Sequence, residues 1–405
     1  MLETRNVPQT GPQFRLNYPQ FGSASLVRLG GESRLCASSP NADGGSVEKN
    51  HRYYPALYLL RMFWWTRARH MQRHFGEHFR RESGGHSDDT AAIQSAINAA
   101  NSAGGGSVVL NAGRYFTTGT LTVPNGVVLC GVVEGPFDVA AVNPATTTIA
   151  PTLLVTNAST PFITLQGVGS GVTDVLFHYP NQVASTAAAP KVYPYTIVVN
   201  APGTKVMRCT ATNAYNFLDI EVGRTTAQDL FIGAFNVGVN IDHSEDHVTL
   251  RNLFNQVFWD VFENTNYPSN IDAWVLSHGT ALIVGRMHSL EVHDFFVFSR
   301  FTGMLLTDSP DTSLSGRCGY GTGSDIDLDT VAFGILVVAS SPPGYKFTNV
   351  DIGSSAAGQA AVSTKTGGSQ PPKVQINGGS QRGTCANGSF PPAAVGTLQV
   401  VNMLP

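Results

Sequence analysis

The sequence predicts an all-β chain that winds as a parallel β-helix. The 405 residues are 42% hydrophobic and only 13% charged, a composition suited to a large core. After Asn101 no long stretch has the 3.6-residue period of an amphipathic helix, whereas short apolar runs are separated by tight turns. Similar segments also recur at a fixed offset, as a solenoid of stacked coils requires. A β-sandwich is the structural alternative, but it does not predict a fixed offset.

The first 83 residues differ in composition from the rest of the chain. Of the 25 Lys and Arg residues, 12 lie in the first 82 positions, among several aromatic side chains. We predict that 1–83 is a disordered or non-native segment; the alternative is a basic aromatic helix on a nucleic acid or membrane surface. The β-helix domain is predicted to span 84–405, with late coils or a C-terminal cap at 353–405.

The predicted domain begins with one short helix followed by short strands. Asp88, Asp89 and Thr90 are residue types that favour a helix N-terminus, and the apolar residues after them have helical spacing. The glycines at 104–106 are expected to end this helix. Strands broken by Gly- and Asn-containing turns are predicted over 107–129.

Three runs within this region, DDTAAIQSAINAA, GGGSVVLNAGRY and TLTVPNGVVLCGV, resemble the opening of the pectate-lyase-like superfamily, which includes proteins related to glycoside hydrolase family 28. The resemblance covers about 50 residues and implies a single-stranded right-handed parallel β-helix with an N-terminal capping helix. It also implies activity on a carbohydrate and a secreted or periplasmic location, although no signal peptide is recognisable. The G-A-x-G-D-G lead usual in these families is replaced here by residues 82–87.

A repeat of 21 residues is visible in the middle of the chain. The segments 218–221 (LDIE), 239–242 (VNID) and 260–263 (DVFE) align without gaps, and 303–307 and 334–338 share a Gly-apolar pattern. Stacked coils would place the isoleucines and phenylalanine of the first three segments in one inward column. The final acid of each segment would then point outward.

This alignment predicts a ladder of three carboxylates, Glu221, Asp242 and Glu263, with neighbours ~5 Å apart. Like charges at such distances raise one another's pKa, so one member is expected to hold a proton while another is ionised. Acid and base catalysis of glycoside hydrolysis needs such a pair. The alternative is that the three acids are solvated on an exposed face or bind Ca²⁺ through oxygen.

Polar and aromatic side chains in neighbouring turns and insertions are candidates for substrate binding, since long loops on a solenoid commonly form binding walls. Packing under a loop is the alternative for each. The candidates are Asp272, His278, Trp274, Tyr267, His243, Tyr179 and Gln182.

Two further features leave alternatives open. Asp325, Asp327 and Asp329 alternate along one predicted strand and suggest a second acidic site or a calcium site. The five cysteines lack metal-site spacing and are predicted to be free thiols, with Cys318 and Cys385 as the pair that a disulfide would join. We therefore expect no cofactor, with Ca²⁺ as the remaining possibility.

The leading functional hypothesis is a glycoside hydrolase acting on a polysaccharide or oligosaccharide by paired-carboxylate catalysis. A polysaccharide lyase or uronate epimerase is the second, and a non-catalytic, spike-like glycan-binding β-helix is the third. The net charge of −3 argues against a nucleic acid partner. No run of ~20 apolar residues predicts a membrane span. The sequence leaves the oligomeric state open between a monomer and a homotrimer.

Overall fold

A computed structural model describes residues 87–138, 149–182, 189–256, 271–355, 358–391 and 396–404. All of these belong to one compact unit, Leu60–Pro405. The predicted N-terminal segment and its boundary at residue 83 lie outside the described residues, so that boundary stays a prediction.

The described residues form two helices and twenty strands. The helices are α1 (Thr90–Ser102) and α2 (Ile271–His278). The first ten strands are β1 (Gly106–Leu110), β2 (Gly113–Thr117), β3 (Leu121–Val123), β4 (Val127–Gly131), β5 (Pro151–Val155), β6 (Ile163–Leu165), β7 (Gly171–Thr173), β8 (Leu176–His178), β9 (Tyr195–Val199) and β10 (Lys205–Met207). The others are β11 (Thr210–Ile220), β12 (Thr225–Ile241), β13 (Val248–Gln256), β14 (Thr280–Val284), β15 (Leu290–Leu306), β16 (Gly321–Val337), β17 (Tyr345–Ser354), β18 (Ala360–Thr364), β19 (Lys373–Arg382) and β20 (Thr397–Leu404).

The strand pairs are parallel throughout and build three faces, so the predicted parallel β-helix is confirmed. Each face is identified by one column of register partners. Sheet 1 contains the column Val108, Leu129, Val172, Val206, Ala227, Leu250, Val292, Gly323, Phe347 and Ile376. Sheet 2 contains Tyr115, Leu153, Phe177, Ala211, Ile232, Asn255, Val297, Leu328 and Ile352. Sheet 3 contains Val123, Leu165, Val199, Ile220, Ile241, Val284, Leu306 and Val337.

The column of sheet 3 shows why these coils hold together. All eight of its apolar side chains are fully buried, in one continuous core that runs through the coils. Because side chains alternate across a strand, the residues beside this column point outward. The sequence therefore fixes which residues form the core and which form the outer surface of sheet 3.

The corner between sheets 1 and 2 is built in the same way in nine coils. One residue in each coil has a left-handed backbone, with φ between 50° and 79°. Aspartate and asparagine are the non-glycine residues that most readily adopt this conformation, and they occupy most of these positions. Two pairs of consecutive corners are joined by amide-to-carboxylate hydrogen bonds. The Asn252 amide donates to Asp229 at 2.7 Å, and the Asn349 amide donates to Asp325 at 2.7 Å. The corner residues are Asp174, Arg208, Asp229, Asn252, Asp294, Asp325, Asn349, Gly378 and Asn402.

Helix α1 precedes the first strand and covers the start of the core, as predicted. Its buried face consists of Ile93, Ala96, Ile97 and Ala100, and these side chains belong to the same core as the strands. At its start Asp88 accepts a hydrogen bond from the backbone N–H of Thr90 at 3.0 Å. The helix thus closes the apolar interior that the first coil would otherwise expose to water.

The predicted 21-residue offset holds for one step and then fails. Leu218 pairs with Val239 and Ile220 with Ile241, as expected from the sequence. On its other side, however, Ile241 pairs with Val284 of β14. Both neighbours of this part of β12 are therefore occupied, and the residue that follows Ile241 in the column is Val284. The predicted third segment, 260–263, lies outside the described residues.

The cysteines of the described part of the chain are free thiols, at positions 130, 209, 318 and 385. The alternative of a disulfide between Cys318 and Cys385 is therefore wrong. Cys36 lies outside the described residues. Neither helix of the described part is both long and apolar enough to cross a membrane.

Candidate active site

The candidate site lies where β11 and β12 end at one edge of sheet 3. Leu218 and Ile220 are fully buried, so Asp219 between them points to the outer face, where it is half-buried. The neighbouring strand places Asn240 beside it in register, and the Asn240 amide donates to Asp219 Oδ1 at 2.8 Å. A carboxyl group thus lies within the sheet surface rather than in a turn.

The surroundings of Asp219 favour its protonated form. Burial raises the pKa of Asp219 to about 7, and it outweighs the hydrogen bond from Asn240, which lowers this pKa. The charge of Glu221, a side-chain hydrogen bond with Glu221 and the charge of Asp242 raise it further. Asp219 and Glu221 therefore form a carboxyl pair that shares a proton.

Glu221 comes directly after the last residue of β11 and is partly exposed. Its Oε2 lies 2.7 Å from Nδ1 of His243, whose Nε2 lies 3.2 Å from Oδ2 of Asp311. Partial burial lowers the pKa of His243, but the hydrogen bond to Asp311 and the charges of Asp242 and Glu221 outweigh it, and the net shift is upward. An imidazole whose protonated form is favoured thus lies against Glu221.

Asp242, predicted as a catalytic acid, is placed in a buried turn instead. Its Oδ1 accepts the backbone N–H groups of His243 and Arg286, each at 2.9 Å, and its Oδ2 accepts the Ser309 hydroxyl at 2.8 Å. Only 4% of the residue is exposed. These bonds use the carboxylate to join two coils, so the structure gives Asp242 a structural role.

The predicted third acid of the ladder, Glu263, lies outside the described residues. The position next to Asp242 in the stack belongs to Gly285, whose N–H donates to the carbonyl of Ile241 at 2.8 Å. A Cβ atom at Gly285 would lie 2.8 Å from Oδ1 of Asp242. The prediction of a three-carboxylate ladder is therefore wrong, because the Asp242 side chain fills the space beside this glycine.

A loop between β15 and β16 closes the same edge of the site. Hydrogen bonds from Ser313 lower the pKa of Asp311 to about 2, and the bond to His243 adds to this effect. Arg317 holds the loop by donating from Nε and from a terminal guanidinium nitrogen to the Ser309 carbonyl at 3.0 and 2.7 Å. Asp311 is thus an ionised group held beside His243.

Tyr195, on β9 of the same sheet, completes the surroundings of the carboxyl pair. Burial raises the pKa of its phenol well above the usual range, and the negative charges of Asp219 and Glu221 add to the rise. The hydroxyl therefore stays protonated and is available as a hydrogen-bond donor.

Of the predicted binding residues in the insertion before β14, three belong to helix α2 rather than to an irregular loop. The Trp274 and His278 rings stack with centroids 4.6 Å apart, and the Tyr215 ring lies 6.0 Å from Trp274. Asp272 is in the first turn of the helix. Tyr215 precedes Asp219 by four residues of β11, or about 13 Å at the ~3.3 Å rise of a strand. Tyr267 lies outside the described residues.

Tyr179 and Gln182, predicted to bind substrate, are buried structural residues, with 1% and 4% of their surfaces exposed. The Tyr179 hydroxyl lies 2.7 Å from Oγ1 of Thr196. The Gln182 amide donates to the Lys191 carbonyl at 3.0 Å and accepts the Lys191 backbone N–H at 2.7 Å. These two predictions are wrong because both side chains are buried and form their hydrogen bonds within the protein.

The alternating aspartates predicted as a second acidic site or a calcium site lie on different parts of the coil. Asp325 occupies the corner between sheets 1 and 2, whereas Asp327 is paired beside Asp351 on sheet 2. Arg382 lies 3.5 Å from Asp327. Within the described ranges, no three His, Cys, Asp or Glu side chains converge in a way that would hold a metal ion.

Asp219 is the functional candidate that the sequence reasoning missed. The repeat predicts only Glu221 as an outward acid, although alternation from the inward Ile220 makes both flanking residues point outward. The strand ends at Ile220, so Glu221 and Asp242 lie in turns while Asp219 lies on the sheet. An acid between two inward aliphatic residues was the available signal.

Comparison with known proteins supports the fold. Residues 78–167 match the family model described as rhamnogalacturonase A/epimerase, pectate lyase-like, which confirms the resemblance over that region. No curated protein matches the chain.

Three solved structures illustrate the structural likeness. The A-module of mannuronan C-5 epimerase AlgE6 from Azotobacter vinelandii is 14% identical, with TM-score 0.43, over 82% of this chain and 99% of that chain. The tailspike of E. coli bacteriophage HK620, in complex with a pentasaccharide, is 11% identical, with TM-score 0.47, over 79% and 62%. The adhesin PfbA of Streptococcus pneumoniae is 12% identical, with TM-score 0.39, over 82% and 96%. Such low identities carry no information about activity.

Proposed function

We propose that the chain is a glycoside hydrolase that cleaves a neutral polysaccharide, with Asp219 as general acid and Glu221 as the partner carboxylate. The observation that carries this proposal is the pair itself, in which one carboxyl group is half-buried with a pKa raised to about 7 while Oε2 of its neighbour lies 2.7 Å from Nδ1 of His243. Two carboxyl groups held in opposite protonation states are what glycoside hydrolysis requires.

Each residue has one task in this mechanism. Asp219 donates its proton to the glycosidic oxygen as the bond to the anomeric carbon breaks, and Glu221 acts on the other side of that carbon, either directly or by activating a water. The side-chain interaction with Glu221 raises the pKa of Asp219 in the absence of substrate. A bound sugar would have to lie between the two carboxyl groups for both to act on the same glycosidic bond.

The charges around the pair favour a neutral glycan. Glu221, Asp242 and Asp311 are carboxylates around the single imidazole of His243. An anionic polymer would meet repulsion here, while neutral hydroxyl groups find acceptors. The reaction itself needs only the two carboxyl groups and water. An enzyme of this kind meets its polymer in a secreted or periplasmic location.

The test is release of new reducing ends from a panel of neutral polysaccharides. Asp219→Asn and Glu221→Gln should each lower kcat by roughly 100-fold or more, as loss of an acid or base does. Wild-type activity should fall as the pH rises through about 7, because Asp219 then loses its proton.

Asp294→Asn is the matched control, because Asp294 is an exposed corner residue with φ 55° and asparagine also adopts that conformation. It should retain full activity. Unchanged turnover in both pair variants would refute the site, and binding without turnover would support a non-catalytic glycan-binding protein.

A uronate epimerase or lyase is the second candidate, favoured by the epimerase named in the matched family model. Such an enzyme would remove the proton next to the uronate carboxyl group. Solvent deuterium incorporated at that carbon, or an unsaturated product absorbing in the near ultraviolet, would replace the hydrolase proposal.

A further inference from the structure

His243 has an unusually constrained position for a partly exposed turn residue. Its backbone is left-handed, with φ 50°, and its N–H donates to Oδ1 of Asp242 at 2.9 Å. Asp242 is in turn held by the backbone of Arg286 and the hydroxyl of Ser309. The backbone that carries the imidazole is thus fixed by contacts from three coil segments.

Both ring nitrogens of His243 face carboxylates. Nδ1 lies 2.7 Å from Glu221 and 3.6 Å from Oδ2 of Asp242, and Nε2 lies 3.2 Å from Asp311. A neutral imidazole has only one N–H, so it satisfies one of these two sides and leaves the other repulsive. The doubly protonated ring carries a positive charge that attracts the carboxylates on both sides, and its pKa is raised accordingly.

No second cation competes for Glu221 among the charged groups described around it. Arg286 donates to Glu245 at 2.8 Å and to the Ser315 carbonyl at 3.1 Å, and Arg224 lies 3.1 Å from Asp246. The charged groups that face the His243 ring are therefore Glu221, Asp242 and Asp311, all of them acidic.

We infer that His243 is a positioning residue that decides which carboxyl group of the pair keeps the shared proton. Its imidazolium stabilises Glu221 as a carboxylate, and the proton consequently stays on Asp219, the half-buried member that is hydrogen-bonded to Asn240. This inference rests on the proposed function, since it explains how the acid and its partner acquire opposite states. It also replaces the prediction that His243 contacts substrate.

The test is a titration of the Asp219 and Glu221 carboxyl carbons by NMR, in wild type and in His243→Asn. Asparagine tolerates φ 50° and is neutral, so the backbone is retained while the charge is lost. In wild type Asp219 should titrate at about 7. In His243→Asn the Glu221 titration should move up by about a pH unit or more, since an adjacent opposite charge shifts a carboxyl group by roughly that amount.

Two further variants make the outcome decisive. Glu221→Gln keeps His243 but removes the carboxylate beside Nδ1, so the His243 imidazole should titrate at lower pH. His247→Asn, four residues along the same turn, removes a histidine that lies 3.4 Å from Glu291 and should leave both titrations unchanged. If His243→Asn does not fold, the His243 titration in Glu221→Gln still decides, because the coupling between two groups is reciprocal.

Unchanged Glu221 titration in His243→Asn, together with unchanged His243 titration in Glu221→Gln, would overturn the inference. The titration needs no turnover, so it remains readable if no glycan is hydrolysed and the proposed function fails. Where turnover is found, the acid limb of the kcat profile should move to higher pH in His243→Asn. A purely structural role for His243 would lower activity equally at every pH.

Discussion

Among single residues, the position of an acid relative to the end of its strand separates a group with the properties of a catalyst from one that fixes a turn. Asp219 lies on the outer face of sheet 3 with a raised pKa, while Asp242 accepts three hydrogen bonds in a buried turn. The repeat correctly aligned the coils that carry both acids. It did not show where each strand ends, because that depends on pairing with distant segments.

Asp242→Ala should therefore destabilise the fold rather than act only on catalysis. It leaves the buried N–H of Arg286 and the hydroxyl of Ser309 without their acceptor, and each such loss costs about 1–3 kcal/mol. We expect the free energy of unfolding, measured by urea denaturation, to fall by about 2–4 kcal/mol. Asp294→Asn should change it by less than about 0.5 kcal/mol. Wild-type stability in Asp242→Ala would contradict the structural role.

Among the elements, strands were the most predictable and insertions the least. Apolar residues at coil spacing, such as those of 303–307 and 334–338, do pair in register as expected. Helix α1 was predictable from its capping residues and spacing. Helix α2 was not, because its eight residues bury only Ile271 and Val275, against Phe235 of β12, and show no repeated helical pattern.

The corner between sheets 1 and 2 gives a test at this scale. Asn349 has φ 53°, and its amide bonds Asp325 of the preceding coil. A β-branched residue is strained in this conformation, so Asn349→Val should lower the free energy of unfolding by about 1–3 kcal/mol.

Thr348→Val is the matched control for this change, since Thr348 is an exposed strand residue immediately before the corner. It should change stability by less than about 0.5 kcal/mol. Asn349→Gly should lose less than Asn349→Val, because glycine adopts positive φ freely. Equal thermal midpoints for Asn349→Val and Thr348→Val would show that the corner conformation is not required.

At the scale of the whole molecule, the low charge of the chain contrasts with the concentration of acids at one edge of sheet 3. The net charge is only −3 over 405 residues. The fold nevertheless brings together acids from positions 219–221, 242 and 311. Sequence separation hid this concentration, since Asp311 reaches the site only through the pairing of β14 with β15 and the loop that follows β15.

This local charge should control which glycans bind. A neutral oligosaccharide should bind more tightly than a uronate oligosaccharide of equal length at low ionic strength, and the gap should narrow at high salt as repulsion is screened. Isothermal titration calorimetry at two salt concentrations measures both effects. Tighter binding of the uronate at low salt would favour the epimerase or lyase candidate instead.

The pairing of Ile241 with Val284 has a broader consequence for how such a chain can change. The register of each coil is set by its neighbours on both sides. Extra residues inserted between two strands therefore change only the entropy of loop closure, which grows slowly with loop length. Helix α2 (Ile271–His278) belongs to such an addition, between β13 and β14. Material of new shape and chemistry can thus be added beside Asp219 and Glu221 while the two carboxyl groups keep their places, so specificity is free to diversify on an unchanged scaffold.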